Sequence, residues 1–244
     1  RQLIKAISML KVTPWCVPPT MLINMFPQTR TGMNRKNIFQ DLGLISYEQA
    51  WTYQEKIFGE LIAAKSAEKQ LEANNFLLFC EHSHVYTLGK SGKDSNLLLN
   101  EEMLKQKGVS FFRTNRSGDI TYHGPGQIVG YPIIDLERFK LGIRKYIMLL
   151  EEAVILLLAE YGINSSRMES ASGVWLSADD PGNARKICAI GVRSSRYVTM
   201  HGFAFNVNTE LDYYNFINPC GFTDKGVTSM EKELNALQDM TVVK

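Results

Sequence analysis

Two segments hold the residue types that could do chemistry. One reads Asn218-Pro219-Cys220-Gly221-Phe222-Thr223 and sets a cysteine between a proline and a glycine. Those neighbours disfavour a helix interior and suit a turn, where a thiol can be exposed and reactive. Free cysteine is more often inert filling than nucleophile, and the turn setting shifts that balance. A nucleophilic thiol needs its pKa lowered from about 8.5 by a cation, a general base or a helix N-terminus. Lys186 opens the run Lys186-Ile187-Cys188-Ala189-Ile190-Gly191-Val192 and is one candidate activator, although a lysine at a strand start is usually a solvated edge residue. Cys188 lies two residues on, should share its face and reads as core filling.

The other segment runs Arg116-Ser117-Gly118-Asp119-Ile120-Thr121-Tyr122-His123-Gly124-Pro125-Gly126-Gln127. It is a β-type run leading into a His-Gly-Pro-Gly turn, where glycines let a substrate approach the backbone. His123 and His201 each precede a glycine, and either could orient a thiolate or polarise a carbonyl. For His201 alone, a satisfied core histidine is the plainer reading. Arg116 could be a surface charge or could bind an anionic carrier group. Cys80, His82 and His84 have metal-ligand spacing, but no further ligand stands nearby, so no metal is expected.

These residues need a scaffold, and the periodicity supplies one. Strands are expected over Ile38–Leu44, Asn75–Cys80, Val85–Leu88, Val109–Arg113, Ile128–Leu136, Ile163–Met168, Gly173–Leu176, Lys186–Arg193 and Val198–Val207. Ser46 can cap a helix running to about Leu71, with Gln49 at the capping-box position. A short helix is expected over 100–107, and a clear one over Arg144–Tyr161, stopped by Gly162. Asp-Asp-Pro-Gly-Asn within 178–184 reads as a hairpin loop. The sum is one α/β domain with a mostly β second half.

Residues 1–32 differ: they contain no Asp or Glu and four of the eight prolines. They read as a disordered or loosely docked extension ahead of a domain over 33–244. In the whole chain, 27 basic residues nearly balance 25 acidic ones, so no nucleic-acid field is implied. The longest apolar run, Ala153–Ala159, is too short to span a bilayer. Four cysteines without a Cys-x-x-Cys pair give no disulfide or zinc framework and fit a reducing cytoplasm.

From Asn37 onward the chain resembles the lipoyl(octanoyl) transferases. The resemblance rests on Val85-Tyr86-Thr87-Leu88-Gly89, Arg116–Gln127 with Gly130-Tyr131-Pro132, Arg185–Val192, His201–Asn208 and Pro219–Met230. It implies a lipoate/biotin-ligase-like fold, with a mixed sheet flanked by helices. It implies Cys220 as the residue that becomes an acyl-thioester and Lys186 as the lysine that lowers its pKa. It also implies substrate-binding segments at Arg116–His123 (Arg116, Ser117, Gly118, Asp119, Ile120, Thr121, Tyr122, His123), at Ala189, Ile190 and Gly191, and at Gly202, Phe203 and Ala204, with His201 in support. Ser117 stands where the family usually has a second glycine and asks for a slightly different backbone.

The implied reaction takes octanoyl from octanoyl-acyl carrier protein. It delivers the group to a lysine of the lipoyl domains of 2-oxoacid dehydrogenases or of the glycine cleavage H protein. The donor brings its own phosphopantetheine arm, so no ATP, metal or other cofactor is expected, and no nucleic acid or membrane partner. The rival readings are an ATP-dependent lipoate or biotin ligase on the same fold, and a non-catalytic module that binds carrier or lipoyl domains.

Overall fold

The computed structural model describes residues 37–67, 73–169, 171–180, 182–218 and 225–244. The extension expected over 1–32 lies outside them, and so does Cys220.

In chain order the strands are β1 (Asn37–Ile45), β2 (Asn75–His82), β3 (Val85–Leu88), β4 (Ser110–Arg113), β5 (Ile120–His123), β6 (Gln127–Ile133), β7 (Ser166–Met168), β8 (Ala171–Leu176), β9 (Arg185–Ser195), β10 (Val198–Asn206) and β11 (Gly226–Val227). The helices are α1 (Tyr47–Ser66), α2 (Glu101–Gln106), α3 (Ile143–Glu160), α4 (Met230–Leu234) and α5 (Met240–Val243). The main sheet has the order β1-β2-β6-β10-β9-β8-β7, with β11 added beside β9. It is mixed, as expected: β1 with β2 and β11 with β9 are parallel, and the other pairs are antiparallel. A small sheet, β4-β3-β5, stands apart from it.

Each long helix covers one face of the main sheet. On α1, Ile57, Phe58 and Leu61 pack on Leu78, Val129, Ile133 and Met200. On α3, Leu150, Val154, Leu157 and Leu158 pack on Phe79, Ile128, Ile187 and Phe205. Burying one such side chain contributes about 1.5–3 kcal/mol, so these two stripes hold the layers together. Among the described residues no helix is long and apolar enough to cross a membrane.

Local chemistry sets the ends of these helices. Ser46 Oγ accepts from the Gln49 N–H at 3.3 Å and donates to Gln49 Oε1 at 2.9 Å. Gln49 thus closes the cap through the serine hydroxyl rather than through its backbone. The described helix ends at Ser66 rather than Leu71, and 68–72 lie outside the described residues. Gly162 (φ +74°) stops α3 as expected.

Some expected strands are shorter. The one beginning near Ile128 ends at Ile133, because the buried Asp135 turns the chain: its carboxylate accepts from the Glu137 N–H, Lys65 and Arg138. The strand placed over Ile163–Met168 retains only Ser166–Met168. A 3-10 segment over Leu211–Phe216, together with β11, α4 and α5, completes the region that the sequence pattern leaves open.

Candidate functional site

The site grows from the pairing of β9 with β10. Gly191 sits opposite Gly202, and Ala189 opposite Ala204. These two cross-strand pairs offer nothing larger than a methyl group, so they form a bare floor on one face of the sheet. A cavity of about 890 Å³ lies over it. Ile190 and Phe203 contribute to its wall and pack against the α3 core.

The segment Arg116–Ile120 roofs the floor, and two contacts let it come this close. A Cβ on Gly191 would lie 2.9 Å from Ser117 O, so only glycine fits there. Ser117 N–H donates to Val192 O at 2.9 Å, and Val192 N–H donates to Ser117 Oγ at 3.1 Å. The serine in place of a second glycine therefore needs no unusual backbone; it is absent from the positive-φ residues, and its hydroxyl completes a pair of bonds to the edge of β9. Gly118, at φ +84°, makes the turn that follows. Asp119 closes the roof by accepting from the Ile120 N–H and from Asn96 Nδ2. Thr121 and His123 face the cavity. Tyr122, between them on β5, faces the other way; its ring stacks on Tyr213 at 4.9 Å and its hydroxyl meets His84 Nδ1 at 2.7 Å.

At the inner end stands a buried, fully wired cation. Arg116 is 7% exposed. Its Nη2 and Nε donate to Thr87 Oγ1 at 2.9 and 3.3 Å, and its Nη1 to Ser117 O at 3.0 Å. Thr87 Oγ1 lies 3.4 Å from His123 Nε2, and His123 Nδ1 lies 2.8 Å from Gln127 Oε1. Asn206 donates to the Thr228 carbonyl, so its oxygen accepts from Gln127 Nε2. That leaves Gln127 Oε1 as an acceptor, and the His123 proton therefore sits on Nδ1. Burial holds His123 well below the ordinary 6.5, with the neighbouring His82 and Arg116 opposing its charge further.

His201 closes the same end. Its backbone is left-handed (φ +56°) in mid-strand, a strained conformation for a non-glycine residue. It turns the ring toward Trp51 of α1. The His201 N–H donates to Gln54 Oε1 at 3.0 Å. Asn115 donates to the Glu55 carboxylate, so its oxygen accepts from His201 Nε2 at 2.7 Å. Nδ1 is buried without a hydrogen-bond partner among the described residues. Burial first, then Arg116 and Arg193, lower this imidazole to about 3. Both histidines are neutral at pH 7.

Lys186 occupies the opposite end of the cavity. Its Nζ donates to Ser172 O at 3.1 Å and lies 4.6 Å from the Trp175 ring centroid. The expectation that Cys188 shares its face fails. Val174 pairs with Cys188 and Trp175 with Lys186, so Ile187 is a bulge. Ile187 and Cys188 both enter the core under α3, while Lys186 reaches the cavity. Burial pushes the Cys188 thiol up, which agrees with filling rather than reactivity.

The segment bearing Cys220 is bracketed by the same cavity. Asn218 donates its N–H to Asn96 O at 2.8 Å, and on the far side Val227 pairs with Lys186. Asn218 and Lys225 both line the cavity. Residues 219–224, Cys220 among them, lie outside the described residues.

Of Cys80, His82 and His84, with their metal-ligand spacing, Cys80 Sγ and His82 Nε2 meet at 3.4 Å, and His84 stands apart. His82 Nδ1 bonds Ile45 O and its Nε2 bonds Tyr131 Oη, while His84 stacks on Tyr213 at 4.3 Å. Among the described residues no group of three His, Cys, Asp or Glu could hold a metal. Sequence reasoning missed Tyr47, Tyr131, Ser172, Trp175, Asn206 and Lys225, all on the cavity wall. Tyr131, Asn206 and Lys225 carried a local signal, because they lie within the Gly130–Pro132, His201–Asn208 and Pro219–Met230 blocks.

Residues 46–244 match the family model for the lipoyl protein ligase A/B catalytic domain. An octanoyltransferase of Parabacteroides distasonis is 57% identical over 206 residues, covering 84% of this chain and 92% of the relative. One of Flavobacterium johnsoniae is 58% identical, covering 83% and 88%. Among solved structures, a bipartite lipoate protein ligase of Thermoplasma acidophilum, described with its E2 lipoyl domain, superposes with TM-score 0.62 at 15% identity, covering 86% of this chain and 79% of that one. A lipoate-protein ligase A bound with ATP gives 0.56 at 15%, covering 87% and 81%.

Proposed function

The chain belongs to the lipoyl protein ligase A/B catalytic family and carries out octanoyl transfer in protein lipoylation; from that premise we propose that the transfer runs through an acyl-thioester on Cys220. The donor is octanoyl-acyl carrier protein, and the acceptor is a lysine of a lipoyl domain. A solved structural neighbour is described together with an E2 lipoyl domain, which favours that acceptor class. The Cys220 thiolate attacks the donor carbonyl, the carbon–sulfur bond to the carrier breaks, and the carrier thiolate leaves. The acceptor amine then attacks the enzyme thioester. An amide forms, Cys220 leaves as thiolate, and the amine surrenders one proton. Splitting the transfer this way exchanges one thioester for another before the stable amide forms.

The observation that carries this reading is the placement of Lys186. It stands on the cavity wall beside β11, and the segment that includes Cys220 is flanked by Asn218 and Lys225 on that same wall. A cation there favours thiolate over thiol. As a neutral amine after acylation, Lys186 accepts the proton that the acceptor gives up. The floor of Ala189, Gly191, Gly202 and Ala204 runs inward from Lys186 and gives the acyl tail a surface without projecting side chains.

The test is a transfer assay with two donors. Octanoyl-carrier protein should acylate a lipoyl domain with ATP and magnesium absent. Free octanoate should give no product even with both present. Product from free octanoate that depends on ATP would instead support a ligase.

A further inference from the structure

We propose that His201, with Arg116 beside it, is the end-stop that sets acyl chain length, an inference that rests on the transferase reading above.

The small-residue floor fixes where a tail runs out of room. The Lys186 amine donates to Ser172 O on β8, two residues before Val174, which pairs with Cys188, so it lies level with the floor rather than over its own Cα. With C–C bonds of about 1.5 Å, an extended twelve-carbon chain is about 5 Å longer than an eight-carbon one. A tail crossing the floor from that side meets Gly191, where Ser117 O and Arg116 close on the floor. Arg116 Cδ comes within 3.3 Å of the position a Gly191 Cβ would take. His201, the residue before Gly202 and paired with Val192, closes the floor.

The stop is rigid because the imidazole cannot swing aside. The His201 backbone N–H is held by Gln54, its ring Nε2 by Asn115, and Asn115 in turn by Glu55, which also binds Arg193. Arg116 is equally tied, by its bonds to Thr87 and Ser117. A longer tail would have to displace a pinned ring and press methylenes on a buried guanidinium, which strips the charge of favourable surroundings.

The sequence offers a clean way to remove the stop. At φ +56° glycine is the residue of least strain. His201→Gly also deletes a buried acceptor that lacks a partner. His201→Asn tolerates the same backbone, keeps a polar group and shortens the side chain. The experiment compares kcat/KM for octanoyl- and dodecanoyl-carrier protein in wild type and both variants. Wild type should prefer octanoyl at least ten-fold. His201→Gly should raise the dodecanoyl:octanoyl ratio about ten-fold or more, and His201→Asn about three-fold. A purely structural role would lower both donors together and leave the ratio in place. An unchanged ratio in variants with wild-type circular dichroism would overturn the proposal. So would a wild type that uses both donors equally, whatever the variants do. No transfer from either donor by wild type would overturn the underlying transferase reading, and the end-stop with it.

Discussion

The two ends of the cavity are built in opposite ways. One continuous chain of buried bonds runs from Arg116 at the inner end through Thr87, His123, Gln127 and Asn206 to the carbonyl of Thr228, whose own N–H donates to Lys186 O at the other end. At the outer end, Lys186 rests on one carbonyl and one aromatic face, beside a bulge and a two-residue strand. The inner end is neutral at its imidazoles and fixed in shape, which suits recognition. The outer end presents a cationic side chain, which suits proton transfer. The histidines that attract attention in the sequence are therefore wall, and the lysine that could pass for a surface residue is the one proposed as the reactive partner.

Substitutions should separate the two ends. Cys220→Ala should abolish acyl-enzyme formation and lower transfer by about 1,000-fold or more, whereas Cys188→Ala should keep most activity. Lys186→Ala should slow both half-reactions by about 100-fold, within the range for lost acid–base help. Lys186→Arg keeps the charge but cannot act as a base, so single-turnover traces should show amide formation slowed more than acylation.

At the inner end the expected effects are on binding. Gly191→Val forces a side chain toward Ser117 O and Arg116; overpacking of this kind costs about 1–3 kcal/mol, so KM for the acyl donor should rise about ten-fold or more, with kcat changed less. Ser117→Gly removes the hydroxyl that holds the Val192 N–H. One such bond is worth about 1 kcal/mol, so KM should rise about three- to five-fold. Hydrogen exchange at the Val192 amide should quicken in the same variant.

How much of this was legible in the sequence follows from range. β3 matches its apolar run residue for residue, and α3 shows its stripe and its terminal glycine, because those signals are local. The resemblance places Tyr122 in the substrate-binding segment with Thr121 and His123, and the structure corrects this by turning its ring to the opposite face of β5. The Ile187 bulge left no local mark, since it exists only against β8. The left-handed turn at His201 depends on Gln54 and Asn115, 147 and 86 residues away. β11 is two residues long and is stabilised by Lys186's strand rather than by its own pattern.

The smallest effect concerns pH. Burial lowers His82 to about 4 and His201 to about 3 from an ordinary 6.5, and lowers His123 as well. A depressed imidazole binds fewer protons folded than unfolded, so its stabilisation is full above about pH 6.5 and is lost as pH falls toward 4 and 3. The melting temperature should be flat from pH 7 to 8 and fall by about 5 °C or more between pH 6.5 and 4. His201→Gly should flatten part of that fall.

The central claim is that the acyl group rests on Cys220 while Lys186 tunes it. The most direct measurement is peptide mapping of the protein after mixing with octanoyl-carrier protein and no acceptor. The octanoyl group should map to the peptide containing Cys220, and the mass should disappear when a lipoyl domain is added. An octanoyl group on Cys188 or Cys80, or an unmodified protein that still transfers, would contradict the account.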